Sequence, residues 1–168
     1  NRALYRLMDR FAKGFPNVMA MLCAGGSGRV DYGAMPYFHS FWPSDNTDPL
    51  GRIKIQWGFS HFFPANTISA HVTRMGKRHL KMAIDVALSG AFGIDLALDK
   101  ATAEERAQIA DAVKLYKERI RPLVMHGELY RLVSPYESPL ASLSYVSTDK
   151  QKAVVYFYQT KDGNEPRV

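Results

Sequence analysis

A single cysteine, Cys23, leaves the sequence without any means of forming an internal disulfide or a multi-cysteine metal site. Five histidines are present, but none stands at a ligand spacing such as H-E-x-x-H, and no metal site is expected. Glycine-rich loops with the spacings G-x-G-x-x-G or G-x-x-x-x-G-K-[ST] are absent, so no phosphate loop is readable. The segment SDNTD lacks the D-x-[DN]-x-[DN]-G spacing of a calcium loop. No uncharged apolar run reaches the ~18 residues that a membrane helix needs. The best candidate, MAIDVALSGAFGIDLAL, is broken by Asp85 and Asp95. The net charge of +6 is scattered, with one cluster, RMGKRHLK, from Arg74 to Lys81. Stacking aromatics are not interleaved there, so the cluster reads as a solvated loop and not as a nucleic-acid surface. There is no initiator Met, and the opening NRALYRLMDRFAKGFP reads as the inside of a helix. The chain is therefore expected to be a fragment.

What is present suits a globular α/β protein. The 168 residues allow one domain, or one and a fraction. Leu4, Leu7, Met8 and Phe11 share one helical face, and Gly14 and Pro16 end that helix. NVMAMLCA reads as a strand buried on both faces, and YFHSFW as a second. Leu50, Ile53, Trp57 and His61 recur at helical spacing. TISAHVT is a third strand, LKMAIDVALSG a short helix and FGIDLAL a fourth strand. Thr102 and Glu105 form a capping box, T-x-x-E, ahead of a stripe made by Ile109, Val113, Tyr116, Ile120 and Leu123. Gly127 closes that helix. Alternation of this kind predicts parallel βαβ units, in a doubly wound sheet or in half of a (β/α)₈ barrel. Beyond Gly127, ASLSYVS and KAVVYFYQ, joined by TDKQ, alternate like antiparallel strands and predict the start of a separate β-domain.

In parallel α/β folds the working residues gather at the C-terminal ends of strands. Three such ends stand out: CAGGSG, WPSDNTD and AHVT. The first reads as a tight turn needing positive φ, or as a place where a ligand approaches backbone. Cys23 has no base paired to it by any motif and reads as a small buried side chain. His71 is kept as a weak site candidate. Asp48 precedes Pro49 and a helix, which is the place of an N-cap. Asp45 has no such structural task. It follows Trp42 by three residues on the loop leaving a strand. Either it is an ordinary loop aspartate, or it is a general acid or base beside an aromatic wall, as a sugar site would need.

The segments CAGGSGRVDYG, FWPSDNTDPLGRIKIQWG, AHVTRMG, DVALSGAFGIDL and RPLVMHGELYRLVSPYE together resemble family 36 of the glycoside hydrolases. These are the bacterial-type α-galactosidases, or melibiases, with the plant raffinose synthases as distant relatives. The resemblance runs along essentially the whole chain. It implies an α/β fold: residues 1–127 as the C-terminal half of a (β/α)₈ TIM-type catalytic barrel, and residues 128–168 as the beginning of an antiparallel β-sandwich domain. It implies retaining hydrolysis of terminal α-galactosyl residues by two aspartates, without cofactor or metal. Asp45 falls on the family's acid/base. Cys23 and Gly26 fall on residues that touch the galactose, and Trp42 on the tryptophan that walls it. The implied partners are a galactoside substrate, the preceding part of the same chain and further copies in a homo-oligomer, with no nucleic acid and no membrane. The compartment is left open between bacterial cytoplasm and periplasm.

Two departures from the family pattern matter. The family's nucleophile lies in a Lys-Trp-Asp motif on an earlier strand, and this sequence has no such motif. The Arg and paired aspartates that grip galactose are missing as well, so this polypeptide alone is expected to be inactive. Ser27 stands where many members have a third glycine, which bears on the loop's conformation. The rival expectations are galactosyl transfer of the raffinose-synthase type and a non-catalytic sugar-binding remnant.

Overall fold

Residues 2–161 are described by the structure, a computed structural model. The chain begins with helix α1, Arg2–Gly14. Of the stripe read from the sequence only Met8 is buried, packing with Leu22, Ala34 and Phe41, while Leu4, Leu7 and Phe11 stay exposed. Strand β1 is Met21–Leu22, far shorter than the apolar run that predicted it. Val18, Met19 and Met21 are exposed, so the expectation of burial on both faces fails here. Val18 and Met19 precede the strand, and β1 bonds to one neighbour, β2, among the described residues. Strand β2 is Ser40–Phe41, and a 3₁₀ turn, Met35–Tyr37, takes the start of the aromatic run. Between β1 and β2 no α-helix forms among the described residues.

Helix α2, Pro49–Phe59, leads to strand β3, Ser69–Val72. Helix α3, Leu80–Ala87, leads to strand β4, Ala91–Ile94. Strand β1 runs parallel to β2 and β3 runs parallel to β4, while a parallel bridge between Phe41 and Ile68 joins β2 to β3. The four strands thus follow one another in chain order, without the reversal of order that marks a doubly wound sheet.

The long helix after Thr102 differs from its expected form. Helix α4, Ala103–Leu115, passes into a π-helical turn, Tyr116–Ile120, and then into α5, Arg121–His126. Pro122 gives the reason. It has no N–H to donate one turn back, and its ring crowds the carbonyl there, so the turn widens. The apolar stripe survives the change, with Ile109, Tyr116, Ile120 and Leu123 all buried. Gly127 is extended, at φ −82°, and not left-handed. Its requirement is room: a Cβ there would lie 2.5 Å from the Leu123 carbonyl oxygen and 2.7 Å from that of Val146.

The capping box is present in both directions. Glu105 N–H donates to Thr102 Oγ1 at 3.1 Å, and Thr102 N–H to Glu105 Oε2 at 3.0 Å. Arg74 adds a fork to the same carboxylate, at 2.7 and 2.9 Å. The Arg74 guanidinium, with help from the Thr102 N–H, holds the Glu105 carboxyl down at about 2. A carboxyl depressed in the fold binds its proton later than in the unfolded chain, where 4.5 is usual. Its stabilising contribution is therefore complete above 4.5 and lost as pH falls through about 2. Melting temperature followed across that window should fall less steeply for Glu105→Gln than for the parent; parallel slopes would refute the assignment.

Three antiparallel strands complete the fold: β5, Glu128–Val133, β6, Leu140–Val146, and β7, Ala153–Gln159, in the order β5-β6-β7. The alternation in β7 separates two faces, and the structure shows which is which: Tyr156 and Tyr158 are buried while Val155 and Phe157 are exposed. Strand β5 was not read from the sequence. The inner face packs on the parallel layer, and one buried cluster holds Val72, Ile84 and Val124 together with Leu143, Tyr145 and Tyr158. Four phenols reach the end of α3 and its following turn. Tyr145 donates to Ser89 O at 2.7 Å, Tyr156 to Leu88 O at 2.9 Å, Tyr158 to Asp85 O at 3.3 Å and Tyr116 to Gly90 O at 2.9 Å. Burial raises all four phenol pKa values, which keeps them donors.

Candidate active site

The parallel strands end on one edge, and their exits carry the residues singled out in the sequence. Cys23 leaves β1, Trp42 leaves β2, Thr73 leaves β3 and Asp95 leaves β4. Ladder bonds continue into these exits: Trp42 N–H donates to Leu22 O at 2.9 Å and Asp95 N–H to Val72 O at 3.0 Å.

The glycine loop is a tight turn, with Gly25 at φ +59° and Gly26 at φ +77°. Gly26 is needed for approach as well. A Cβ at that position would stand 3.0 Å from Ser44 Cα and 3.3 Å from Asp45 N. The loop therefore rests on the backbone of the Asp45 segment. Ser27 is not among the described residues with positive φ, so a serine fits that position without strain. Cys23 is exposed, contrary to its reading as a buried small side chain, because it sits just past the end of β1 and not inside the strand.

The two aspartates of SDNTD separate as their positions implied. Asp48 caps α2: its Oδ2 accepts from Gly51 N–H at 3.1 Å, and Pro49 is the first helical residue. Its other oxygen lies 3.7 Å from Arg78 Nε. Gly76 crosses directly above, where a Cβ would be 1.7 Å from Asp48 Oδ1. The basic loop is exposed, as expected, but Arg74 and Arg78 each meet a carboxylate. Asp45 takes no part in the cap. It is exposed, and its Oδ1 accepts the indole N–H of Trp42 at 3.1 Å. The tryptophan thus meets the carboxyl group through a hydrogen bond and not as an apolar wall. The loop is anchored behind by Thr73 Oγ1, which donates to the buried Thr47 Oγ1 at 2.8 Å.

Two further residues surround the indole. The Arg52 guanidinium carbon lies 4.5 Å from the Trp42 ring centroid. Arg52 is 2% exposed and donates from Nη1 to Ser69 O at 3.1 Å. Burial lowers its pKa to about 10, with the Asp45 charge acting in the opposite sense. The His71 ring meets the indole edge-on, 4.8 Å between centroids. Burial lowers the His71 pKa and outweighs the nearby Asp95 charge, while Arg52 lowers it further, so the charged ring is disfavoured. Its neighbour across the ladder must be glycine, since a Cβ on Gly93 would be 2.4 Å from His71 Cδ2.

The structure thus brings Gly26, Trp42 and Asp45 together and sets His71 and Arg52 against the indole; sequence reasoning had named His71 but not Arg52. A signal for Arg52 existed. It lies next to Ile53, and with Gln56 and Trp57 it makes the buried face of α2. A cation on an otherwise core-facing surface is informative.

The melibiase family profile matches residues 2–127. Along 97% of its length the chain is 39% identical to the α-galactosidase AgaA of Geobacillus stearothermophilus, of which it covers 23%. It is 33% identical to a probable α-galactosidase C of Aspergillus terreus, covering 98% of this chain and 23% of that protein. It superposes on the crystal structure of a variant of the Geobacillus enzyme in complex with raffinose with a TM-score of 0.90, at 37% identity, over 97% of this chain and 24% of that one. The chain spans about a quarter of the length of these relatives. With the profile and the identities in agreement along nearly its whole length, the chain belongs to the melibiase family, family 36 of the glycoside hydrolases.

Proposed function

We propose that this chain is the part of a retaining α-galactosidase that supplies its acid/base, Asp45. The observation that carries the reading is the placement of an exposed carboxyl group, held by the Trp42 N–H, at the exit of a parallel strand and against the Gly26 turn. The chain-ordered run β1-β2-β3-β4 supports assigning residues 1–127 to the second half of a (β/α)₈ barrel. Residues 128–168 would then begin the β-domain that follows it.

In such an enzyme two carboxyl groups stand ~5–5.5 Å apart across the glycosidic bond. The nucleophile, supplied by an earlier part of the full-length protein, attacks the anomeric carbon. Asp45 gives its proton to the departing glycosidic oxygen as the bond breaks. It then removes a proton from water, which attacks the glycosyl-enzyme on the face the leaving group vacated. Two inversions give net retention. Gly26 and Cys23 would present a compact edge to the sugar hydroxyls, and Trp42 would stack on its ring. Without a nucleophile the 168-residue chain alone would not turn over.

Full-length enzyme given raffinose and followed by proton NMR should release galactose first as the α-anomer, with sucrose as the second product. Galactosyl transfer to an added sugar acceptor, with little free galactose, would replace this reading with the transferase. Binding without consumption would replace it with the sugar-binding remnant.

A further inference from the structure

Arg52 has no evident structural reason to be an arginine. It is 2% exposed, and only Nη1 has a hydrogen-bond partner, Ser69 O. Nε and Nη2 are buried and meet no acceptor among the described residues. A buried cation with unbonded N–H groups costs stability, and an apolar side chain of similar length would pack there as well or better. Helix α2 is already held by its cap and by Ile53 and Trp57. What the guanidinium contacts is the Trp42 ring.

That contact leads directly to Asp45. A planar cation over an indole face is attracted by the ring's negative charge density and fixes the ring's orientation. The His71 ring meets the same indole edge-on, and Gly93 leaves His71 the room to do so. Trp42 is therefore clamped by side chains from α2 and β3. The clamped ring points Nε1–H at Asp45 Oδ1. An oxygen accepting that hydrogen bond is the poorer place for the acidic proton, so the proton belongs on Oδ2.

We propose that Arg52 is the positioning residue of the acid/base: by fixing the Trp42 indole it ties down Oδ1 and leaves Oδ2 as the oxygen that protonates the departing sugar. The inference rests on the reading of Asp45 as acid/base. Arg52 itself touches no substrate atom in this scheme; it acts through Trp42. A side chain that only fills space would affect every substrate alike. One that aims a proton donor matters most where the leaving group needs the proton.

The test uses full-length enzyme, with raffinose as the substrate whose leaving group needs protonation and 2,4-dinitrophenyl α-galactoside as the one whose leaving group does not. Values of kcat/KM, which report the first chemical step, are compared for Arg52→Met, Arg52→Lys, Asp45→Ala and the double variant Asp45→Ala/Arg52→Met. Arg52→Met should lose about tenfold on raffinose, the scale of a modest misplacement of a catalytic group, and less than about twofold on the aryl substrate. Arg52→Lys keeps the charge and loses the plane, and should recover part of the loss. In the Asp45→Ala background, Arg52→Met should cost nothing further on raffinose, because the group it aims is gone. Equal losses on both substrates would overturn the proposal, as would an additive loss in the double variant. Should Arg52→Met fail to fold, Arg52→Lys carries the same substrate comparison. If Asp45→Ala discriminates between the substrates and the Arg52 variants do not, only this proposal falls. If Asp45→Ala does not discriminate, the reading of Asp45 falls with it.

Discussion

In the full-length enzyme, Asp45→Ala should lower kcat/KM on raffinose by about 10²–10⁴-fold, the range that a positioned proton donor supplies. On 2,4-dinitrophenyl α-galactoside the loss should be within about tenfold, since that leaving group departs as a stable anion without a proton. The second half of the reaction also needs Asp45, as the base that activates water. In the variant the glycosyl-enzyme should therefore accumulate, and added azide, an anion that attacks without base assistance, should restore turnover and yield α-galactosyl azide. Asp48→Ala is the control. It removes the α2 cap, worth about 1 kcal/mol of stability, and should affect both substrates alike. A uniform loss in Asp45→Ala without azide rescue would remove the enzymatic role given to this residue.

Gly26→Ala should have the next largest effect, about 10²-fold on kcat/KM for raffinose. Two independent costs coincide at this position. At φ +77° an alanine is in the left-handed region, a cost of roughly 1–2 kcal/mol. Its methyl group would also stand 3.0 Å from Ser44 Cα and 3.3 Å from Asp45 N, which is backbone and cannot swing aside as a side chain can. The relief available is to push the Asp45 segment outward, and displacements near 1 Å cost about 10²-fold when a reacting group is displaced. Gly14→Ala is the comparison, because nothing lies within 4 Å of a Cβ there. Kinetics indistinguishable from the parent in Gly26→Ala would show that the turn is not coupled to the acid/base loop.

The sequence was most legible where a local rule is decisive. Thr102 and Glu105 announced a helix start that the structure reproduces in both hydrogen bonds. Asp48 followed by Pro49 announced another, and recognising it freed Asp45 for a different task. The alternation in KAVVYFYQ separated the two faces of the strand because an antiparallel strand with one buried face obeys a period of two. The failures came where a neighbour decides the outcome. Val18 to Met21 look like buried strand by composition, yet only Met21 and Leu22 form strand, and Val18 and Met19 are exposed, which composition does not encode. Pro122 was visible in the sequence, but the apolar period ran on through it and masked the widened turn. The helical face of α2 could have flagged Arg52 as buried, but its contact with Trp42 and the His71–Gly93 pair join distant segments, and no spacing rule within one segment reports such contacts. The segments resembling melibiases pointed to Cys23, Gly26, Trp42 and Asp45. What they did not supply was the support behind the indole.

The phenols at the end of α3 have a consequence for assembly. Tyr145, Tyr156 and Tyr158 come from β6 and β7, later in the chain than their acceptors, the peptide oxygens of Ser89, Leu88 and Asp85. During synthesis those oxygens wait for donors that emerge 56 to 73 residues later. The region before Gly127 can collapse early, but its interior is sealed only when the late hairpin docks. The hairpin thus supplies the donors that the end of α3 lacks, and it is a closing part of this layer rather than an appendage.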